Sequence, residues 1–365
     1  MASLSRGRKK QRISLAYLAA ELGVSRTTVS NAYNRPEELS PELRAKILNR
    51  AESLGYAGPD PMARSLRTKR VGSLGILLTE ELTYAFEDQA SVDLLAGMAK
   101  ACSGSQNTLT LIPVGPNTYD DLDALKLVNQ AVVDGFVVYS VAKRDPYLEA
   151  VAKRNLPTII CDQPNDDPRF PFIGIDDYAA IAPAAQSLVD AGHRKIGILC
   201  IRLSPEAHNG QVTARRLQHA AHHVQKARVL GALDVFRAAG IDPQSVPIIE
   251  RHINDRANNY SAAEQLLTIY PELTAVLCTT DTMAFGVLEY ACTHGIVVPE
   301  DLSVTGFDGI DRALTRNLTT VIQMNKDKGM AAGRVLTAMI QGQDVPVRTP
   351  IATEFHHGQT VAKPA

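Results

Sequence analysis

Apolar residues in the first 57 positions recur at three- and four-residue spacing, which predicts a series of short amphipathic helices. Ser14 and Ser25 can cap the first two helices, and Gly23 between them accepts the left-handed conformation of a tight turn. A third helix is expected to begin at Ser40 and Pro41. The positions expected to share one core are Leu15, Leu18, Ala19, Leu22, Thr28, Val29, Ala32, Leu43, Ile47, Leu48, Ala51 and Leu54. The pattern therefore predicts an all-α helix-turn-helix head.

The second helix of this head carries polar side chains on its outer face. They belong to Arg26, Thr27, Ser30 and Asn31. A helix with a short polar surface fits the major groove of duplex DNA. A three-helix domain that binds protein would share the hydrophobic pattern, so on this pattern alone both alternatives stay open.

Charge separates these two alternatives. Residues 1–70 contain 14 Lys and Arg against 6 Asp and Glu, whereas residues 71–365 contain 24 against 33. The formal net charge of −1 is therefore the sum of a basic N-terminal part and an acidic body. Basic side chains concentrated at one end stabilise a complex with a polyanion by releasing its counterions. This distribution favours DNA as the partner of the head.

Several motifs of the head occur together in an order that is specific. They lie at residues 14–30 with Asn34, and then at 39–40, 54–56 and 63–66. Together they resemble the lactose/galactose repressor (LacI/GalR) family of bacterial transcription regulators, and the resemblance extends to about residue 355. The chain departs from the family pattern at Asn31, where many members have arginine, and at the proline-rich residues 58–61.

The resemblance implies roles in DNA binding for residues of the head. Arg26 and Thr27 would reach base edges, with Asn31 one turn later. Arginine can pair with guanine and asparagine with adenine, each pair contributing about 1–3 kcal/mol of discrimination. The residues matched to phosphate contacts or to capping of the reading helix are Ser14, Ser25, Thr28, Ser30 and Asn34.

Residues 58–70 are expected to form a hinge between the head, residues 1–57, and the body, residues 71–365. A helix of one or two turns here is shorter than the roughly 12–15 residues needed for marginal stability in water, so it should fold only when two copies pack on DNA. By the resemblance, Ala63 and Leu66 belong to this hinge helix, and Leu66 wedges into the minor groove. Alternatively, Met62 and Leu66 pack on the body.

From residue 72 onward, short apolar runs alternate with helical stretches, which is typical of a parallel α/β fold. The predicted strands are residues 75–78, 108–114, 135–141, 157–161, 173–175, 195–200, 247–251, 275–279 and 302–306. The body has about 295 residues, which is more than a single hydrophobic core usually contains. Two doubly wound parallel-sheet lobes are therefore expected, with a ligand in the crevice between them. The resemblance implies a form like the type I periplasmic sugar-binding proteins, with crossings between lobes near Asp176, Asp308 and Asn325.

The resemblance also implies a set of residues that contact an effector. They are Tyr84, Phe86 and Asp88 in the loop after the first strand, Asp162, Arg228 and Asp281. Arg228 would pair with Asp281, so that donors and acceptors on opposite walls suit a sugar or a nucleoside. Alternatively, Asp281 only caps a helix, and Tyr84 and Phe86 only pack within the lobe.

Motifs for catalysis or metal binding are not found in the sequence. It lacks a phosphate loop ending in Lys-Ser or Lys-Thr, His-Glu-x-x-His, Gly-x-Ser-x-Gly and Cys-x-x-Cys. The pairs at residues 222–223 and 356–357 are adjacent histidines, whose side chains point apart. We therefore expect no enzyme activity, no cofactor and no metal ion.

Five scattered cysteines and the lack of an export signal or an 18-residue apolar run predict a cytoplasmic protein and no membrane partner.

These observations lead to one hypothesis and three alternatives. The chain is expected to be a homodimeric repressor that binds double-stranded operator DNA under the control of a small-molecule effector. An activator of the same family, an extracytoplasmic solute receptor and a sugar-processing enzyme are the alternatives. Residues 211–239 are long for one crossover helix, which suggests an insertion or a longer helix.

Overall fold

The computed structural model describes residues 13–59, 69–78, 82–105, 107–114 and 121–364. The chain divides into two compact units, Met1–Val71 and Gly72–Ala365. The first contains the head helices, and the second contains both β-sheets.

The head contains three α-helices: α1 (Leu15–Leu22), α2 (Arg26–Asn34) and α3 (Pro41–Leu54). Each begins at the predicted cap. Ser14 Oγ accepts a hydrogen bond from the backbone N–H of Tyr17 at 3.2 Å, Ser25 Oγ from that of Thr28 at 3.0 Å, and Ser40 Oγ from that of Leu43 at 3.3 Å. The fully buried core consists of Leu18, Ala19, Val29, Ala32, Ile47 and Ala51. The predicted helix-turn-helix head is therefore confirmed.

The body contains two sheets with helices packed against them. Its strands are β1 (Ser73–Leu78), β2 (Thr108–Pro113), β3 (Gly135–Tyr139), β4 (Thr158–Cys161), β5 (Phe172–Gly174), β6 (Ile196–Ile201), β7 (Gly210–Gln211), β8 (Ile248–Arg251), β9 (Ala275–Cys278), β10 (Ser303–Asp308), β11 (Thr319–Gln323), β12 (Arg348–Pro350) and β13 (Thr353–His356). Its helices are α4 (Leu82–Glu87), α5 (Gln89–Cys102), α6 (Asp121–Gln130), α7 (Pro146–Arg154), α8 (Asp177–Ala180), α9 (Ala182–Asp190), α10 (Ala214–Gln218), α11 (His223–Ala238), α12 (Arg256–Ile269), α13 (Asp281–Thr293), α14 (Asp311–Thr315) and α15 (Asn325–Ile340).

Strand order defines two lobes. The first lobe is built on the sheet β12-β5-β4-β3-β1-β2, and the second on the sheet β13-β11-β10-β9-β6-β8-β7. The central pairs are parallel, whereas β13 and β7 pair antiparallel at the edges of the second sheet. This is the predicted pair of doubly wound lobes. The long segment at 211–239 is explained by two successive helices, α10 and α11, rather than by one.

Over the part of the body that the structure describes, the chain passes between the lobes three times. It crosses between β5 and β6, again after β11, and a third time between β12 and β13. The crossing predicted near Asp308 is wrong, because β10 ends at this residue and pairs in parallel with the next strand, with Thr305 opposite Thr319. The third crossing lies instead at residues 351–352.

Helix α15 returns to the first lobe and packs closely on α5. Its residues Ala332 and Leu336 share a hydrophobic core with Leu74 of β1. A Cβ atom at Gly329 would lie 2.0 Å from the carbonyl oxygen of Leu94, so the two helix backbones touch where only glycine fits. This contact holds the first turns of α15 against α5. Within the described ranges, no helix combines the length and the apolar character needed to cross a membrane.

Candidate functional site

A polar cleft lies between the two lobes of the body and encloses about 720 Å³, counting the space open to solvent. The first lobe contributes Asp88, Ala90, Ser91, Tyr139, Ser140, Asp162 and Gln163 to its walls. The second lobe and its crossing contribute Ile201, Arg202, His222, Val224, Gln225, Arg228, Asn254, Thr280, Asp308 and Gln323. Many of these residues directly follow or end a strand, as expected for a ligand site at the carboxyl ends of parallel strands.

Arg228 is a buried cation in the cleft wall, on the first half of α11. Its Nε donates to Asp177 Oδ1 at 2.8 Å and its Nη1 to the carbonyl oxygen of Thr279 at 2.8 Å. The guanidinium lies 3.8 Å from the ring centroid of Phe307. Burial acts to lower the pKa of Arg228, but the neighbouring carboxylates of Asp177 and Asp308 raise it, so the side chain is cationic.

Asp308 is the acceptor that faces Arg228 from the end of β10. Arg228 Nη1 lies 3.5 Å from Asp308 Oδ1, and Gln323 Nε2 donates to the same oxygen at 2.6 Å. Burial raises the pKa of Asp308 to about 7, although Arg228 opposes this shift. Its backbone φ of 119° is rarely adopted by residues with a side chain, and such strain is typical of functional sites.

Asp281 does not pair with Arg228, so that prediction is wrong. The carboxylate is fully buried, with Oδ1 accepting from Thr320 Oγ1 at 2.6 Å and Oδ2 from the backbone N–H of Ile310 at 3.0 Å. It therefore ties β11 and the loop after β10 to α13, and it lies outside the described cleft lining. Thr280, rather than Asp281, caps α13, with Oγ1 accepting from the backbone N–H of Met283 at 3.2 Å.

Asp162 lies at the predicted place, directly after β4, and lines the cleft. Its Oδ1 is 2.8 Å from Nζ of Lys328, a side chain with no solvent exposure. The backbone at Asp162 also adopts a positive φ, of 69°. A carboxylate is thereby held at the cleft edge of the first lobe.

The loop after the first strand contributes one of its three predicted residues to the described cleft lining. Asp88 lines the cleft and caps α5, accepting from the backbone N–H of Ser91 at 2.9 Å and from its hydroxyl at 2.7 Å. Phe86 lies on α4 with 60% of its surface exposed, outside the cleft lining, because this segment is helical rather than extended. The side chain of Tyr84 lies outside the described residues.

In the head, most residues predicted to contact DNA lie along α2 or at its cap, and Ser14 lies at the cap of α1. Arg26 and Thr27 are exposed in its first turn. Asn31 donates its amide to Glu38, and Asn34 donates to the carbonyl oxygen of Ser30 at 3.0 Å. The capping hydroxyl of Ser25 lies 2.8 Å from Thr28 Oγ1, and Ser14 caps α1. The predicted hinge residues Ala63 and Leu66 lie outside the described residues.

Comparison with known proteins places this arrangement in a family. Residues 72–359 match the family of periplasmic binding proteins and sugar-binding domains of the LacI family. The chain belongs to the LacI family. It is 57% identical over 357 residues to the HTH-type transcriptional regulator IpsA of Corynebacterium glutamicum, covering 98% of this chain and 99% of that protein.

Solved structures extend the comparison to three dimensions. A LacI-family transcriptional regulator from Corynebacterium glutamicum is similar with a TM-score of 0.78 and 54% identity, covering 97% of this chain and 100% of that one. A lac repressor dimer bound to operator and the anti-inducer ONPF shares the fold with a TM-score of 0.77 at 20% identity, covering 96% and 100%. The chain is thus a LacI-family transcriptional regulator and not an enzyme.

Sequence reasoning missed several residues of the cleft in this LacI-family chain. Gln163 and His222 link the two lobes with a hydrogen bond of 3.0 Å, and Asn165 lies 2.7 Å from Nε2 of His223. The adjacent histidines thus serve as contacts between the lobes. Across the described ranges, no group of three or more His, Cys, Asp or Glu is arranged to hold a metal ion. Asp308 could have been found from the sequence, because it is the polar residue that ends the apolar strand β10 in the order Gly-Phe-Asp.

Proposed function

We propose that this LacI-family regulator is a homodimeric repressor whose affinity for operator DNA is controlled by a neutral polyhydroxyl effector bound in the cleft. The observation that supports the effector class is the pair of carboxylates, Asp162 on one lobe and Asp308 on the other, set among nitrogen donors. Carboxylates accept hydrogen bonds from the O–H groups of a ligand, and the nitrogen donors can bind the lone pairs of the same hydroxyl oxygens. A molecule with hydroxyls on two sides can use both walls.

Charge in the cleft favours a neutral ligand over an anion. The lining includes Asp88, Asp162 and Asp308 against Arg202 and Arg228. Because the cations do not exceed the carboxylates, a phosphate or carboxylate ligand would find little net attraction.

The same lining favours a sugar or polyol over a nucleoside. A nucleobase is commonly held by stacking on an aromatic side chain. Among the described residues of the cleft lining, Tyr139 and His222 carry the aromatic rings; the ring of His222 is bonded to Gln163, and the exposed ring of Phe86 lies elsewhere. The expected effector is therefore a sugar or a related polyol.

Two heads are required for the proposed repressor. A twofold dimer binds two half-sites of a near-palindromic operator, and the lac repressor dimer with operator shares this fold. The exposed side chains of Arg26 and Thr27 are proposed to enter the major groove, with phosphate contacts from the predicted serines, Thr28 and Asn34. Residues 58–70, including Ala63 and Leu66, are proposed as the hinge. DNA as target places the protein in the cytoplasm.

Control by the effector is proposed to act through the angle between the lobes. Residue Gly72 begins the body, and its backbone N–H donates to Asp134 Oδ2 at 2.7 Å, so the start of the body is tied to the first lobe. Coupling of this type is typically about 1–3 kcal/mol and is reciprocal between the two ligands.

The test is a gel-shift titration of the full-length protein on duplexes that flank its own locus, at low and moderate salt. D-ribose, D-glucose, cellobiose and adenosine serve as probes. The proposal predicts an operator-sized complex whose midpoint is changed by a sugar and not by adenosine. Response to adenosine alone would contradict the effector class, and no complex on any duplex would contradict the function.

A further inference from the structure

Lys328 is a fully buried cation on the first turn of α15, in contact with the cleft residues Asp162 and Gln323. Its Nζ lies 2.8 Å from Asp162 Oδ1 and donates to Gln323 Oε1 at 2.7 Å. Burial acts to lower the pKa of Lys328, but Asp162 is among the neighbours that raise it, so the side chain remains an ammonium. Lysine is seldom buried without a function or a partner.

Gln323 connects this ammonium to Asp308 in the other lobe. A carboxamide has one acceptor and one donor group, so when its oxygen binds Lys328, its nitrogen is directed elsewhere. The nitrogen donates to Asp308 Oδ1 at 2.6 Å. Arg228 Nη1 approaches the same oxygen, and the described bonds therefore leave Oδ2 of Asp308 available to a ligand.

We propose that Lys328 is a positioning residue of the effector site, which holds the Asp162 carboxylate directly and the Asp308 carboxylate through Gln323. Lys328 belongs to the helix packed on the first lobe, whereas Gln323 ends a strand of the second. One ammonium thus sets the relative orientation of the two hydroxyl acceptors on opposite walls. The inference rests on the proposed function, because it concerns the same cleft.

A purely space-filling role for Lys328 is the competing explanation. A buried ion pair is weak evidence for stability, since replacing both partners with hydrophobic residues of similar volume is often neutral. Methionine has a volume similar to that of lysine and lacks its charge, so it separates the two roles. The positioning role therefore needs readouts that volume alone does not affect.

The test compares Lys328→Met with Lys326→Met in the full-length protein. Lys326 lies two residues earlier, with 58% of its side chain exposed, and pairs with Asp93 at 3.4 Å, so it is a matched lysine outside the cleft. Operator binding is measured first, followed by affinity for whichever of D-ribose, D-glucose and cellobiose shifts the wild-type Tm most. Lys328→Met should still bind operator but should bind the probe at least about tenfold more weakly, because both acceptors lose their orientation.

A second readout is the pH profile of probe binding. Burial and Asp88 raise the pKa of Asp308, whereas Arg228 and Lys328 lower it. Loss of Lys328 should therefore raise the pKa of Asp308, so that the rise of probe affinity with pH moves to higher pH in Lys328→Met. Lys326→Met should keep the wild-type profile.

Each outcome supports or overturns the inference. Probe affinity of Lys328→Met equal to that of Lys326→Met, or a pH profile of probe binding that does not move, would overturn it. If Lys328→Met did not fold, Gln323→Met would decide, because it removes the link to Asp308 and leaves the buried ion pair intact; unchanged probe affinity in that variant would overturn the proposal. A wild-type protein that bound operator but ignored every sugar would instead refute the proposed effector class, and this inference with it.

Discussion

The carboxamide of Gln163, in the first lobe, donates a hydrogen bond to Nδ1 of His222, in the second lobe, at 3.0 Å. The amide orientation is fixed because Gln163 Oε1 accepts from the backbone N–H of Val224 at 2.9 Å. Nδ1 is therefore the acceptor and Nε2 carries the proton. His222 Nε2 is buried without a hydrogen-bond partner among the described residues, and His222 lines the cleft. The ring thus offers an unused donor to a ligand oxygen.

Replacing His222 with phenylalanine removes this donor while keeping a ring of similar shape. We expect sugar binding to weaken by about 0.5–1.5 kcal/mol, the usual net contribution of one hydrogen bond. Burial lowers the pKa of His222 to about 3, so the ring is neutral and the loss should be the same from about pH 6 to pH 8. Calorimetric titration would measure it. His219→Phe, at an exposed histidine of the same segment, is the control and should bind as wild type does.

Asp308 should make effector affinity depend on pH near neutrality. Its pKa is raised to about 7 by burial, while Arg228 and Lys328 act to lower it and Asp88 to raise it. A ligand hydroxyl that donates to the ionised carboxylate favours the deprotonated form, so affinity should rise as pH rises through 7 and fall below it, by up to about tenfold per unit. Titrations at several pH values would show this. Asp308→Asn should bind weakly with a flat profile; a flat profile in wild type would refute the role.

Removing Arg228 should destabilise the body strongly. Arg228→Met leaves Asp177 and Asp308 buried without their cation, which typically lowers the free energy of unfolding by about 3–5 kcal/mol. Urea denaturation would measure the change. Arg237→Met, at the exposed end of the same helix, removes only a surface pair with Asp234 and should stay within about 0.5 kcal/mol of wild type. Equal losses in both variants would show that the pairing of Arg228 is not the cause.

Arg26 should read a base rather than a phosphate. Arg26→Ala is expected to weaken binding to the operator by about 1–3 kcal/mol and to relax the preference at a single base pair. Arg50 in α3 is an exposed arginine paired with Glu21, and Arg50→Ala should leave base preference unchanged. Gel shifts on operator duplexes with each base pair substituted would separate the two. A loss in Arg26→Ala that was uniform over all duplexes would assign it to the backbone instead.

Elements with local signals were predictable from the sequence. Helix α2 needed only Ser25 as cap and a tight turn at Gly23, both encoded within a few residues. Buried strands such as β6 also stand out, because apolar runs bounded by helices identify them. Strand β11 was missed because only two of its five residues, Val321 and Ile322, are apolar, and the third crossing was misplaced as a consequence.

The site was harder to predict because its pairings are long-range. Asp281 and Asp308 both end or follow strands of the second sheet, and only the register of β10 with β11 decides which of them faces Arg228. Lys328 lies in a Lys-x-Lys segment that is typical of a solvated helix face. Its burial follows from the contact of Gly329 with α5, which no pattern near position 328 reveals.

The most direct test of the account measures operator affinity and sugar affinity in the same full-length protein. Fluorescence anisotropy gives the operator Kd with and without the sugar, and calorimetry gives the sugar Kd with and without operator. The account predicts that both constants change by the same factor, about 5–150-fold, and that Asp308→Asn abolishes the change. An operator Kd that no sugar alters, or an effect that persists in Asp308→Asn, would contradict it.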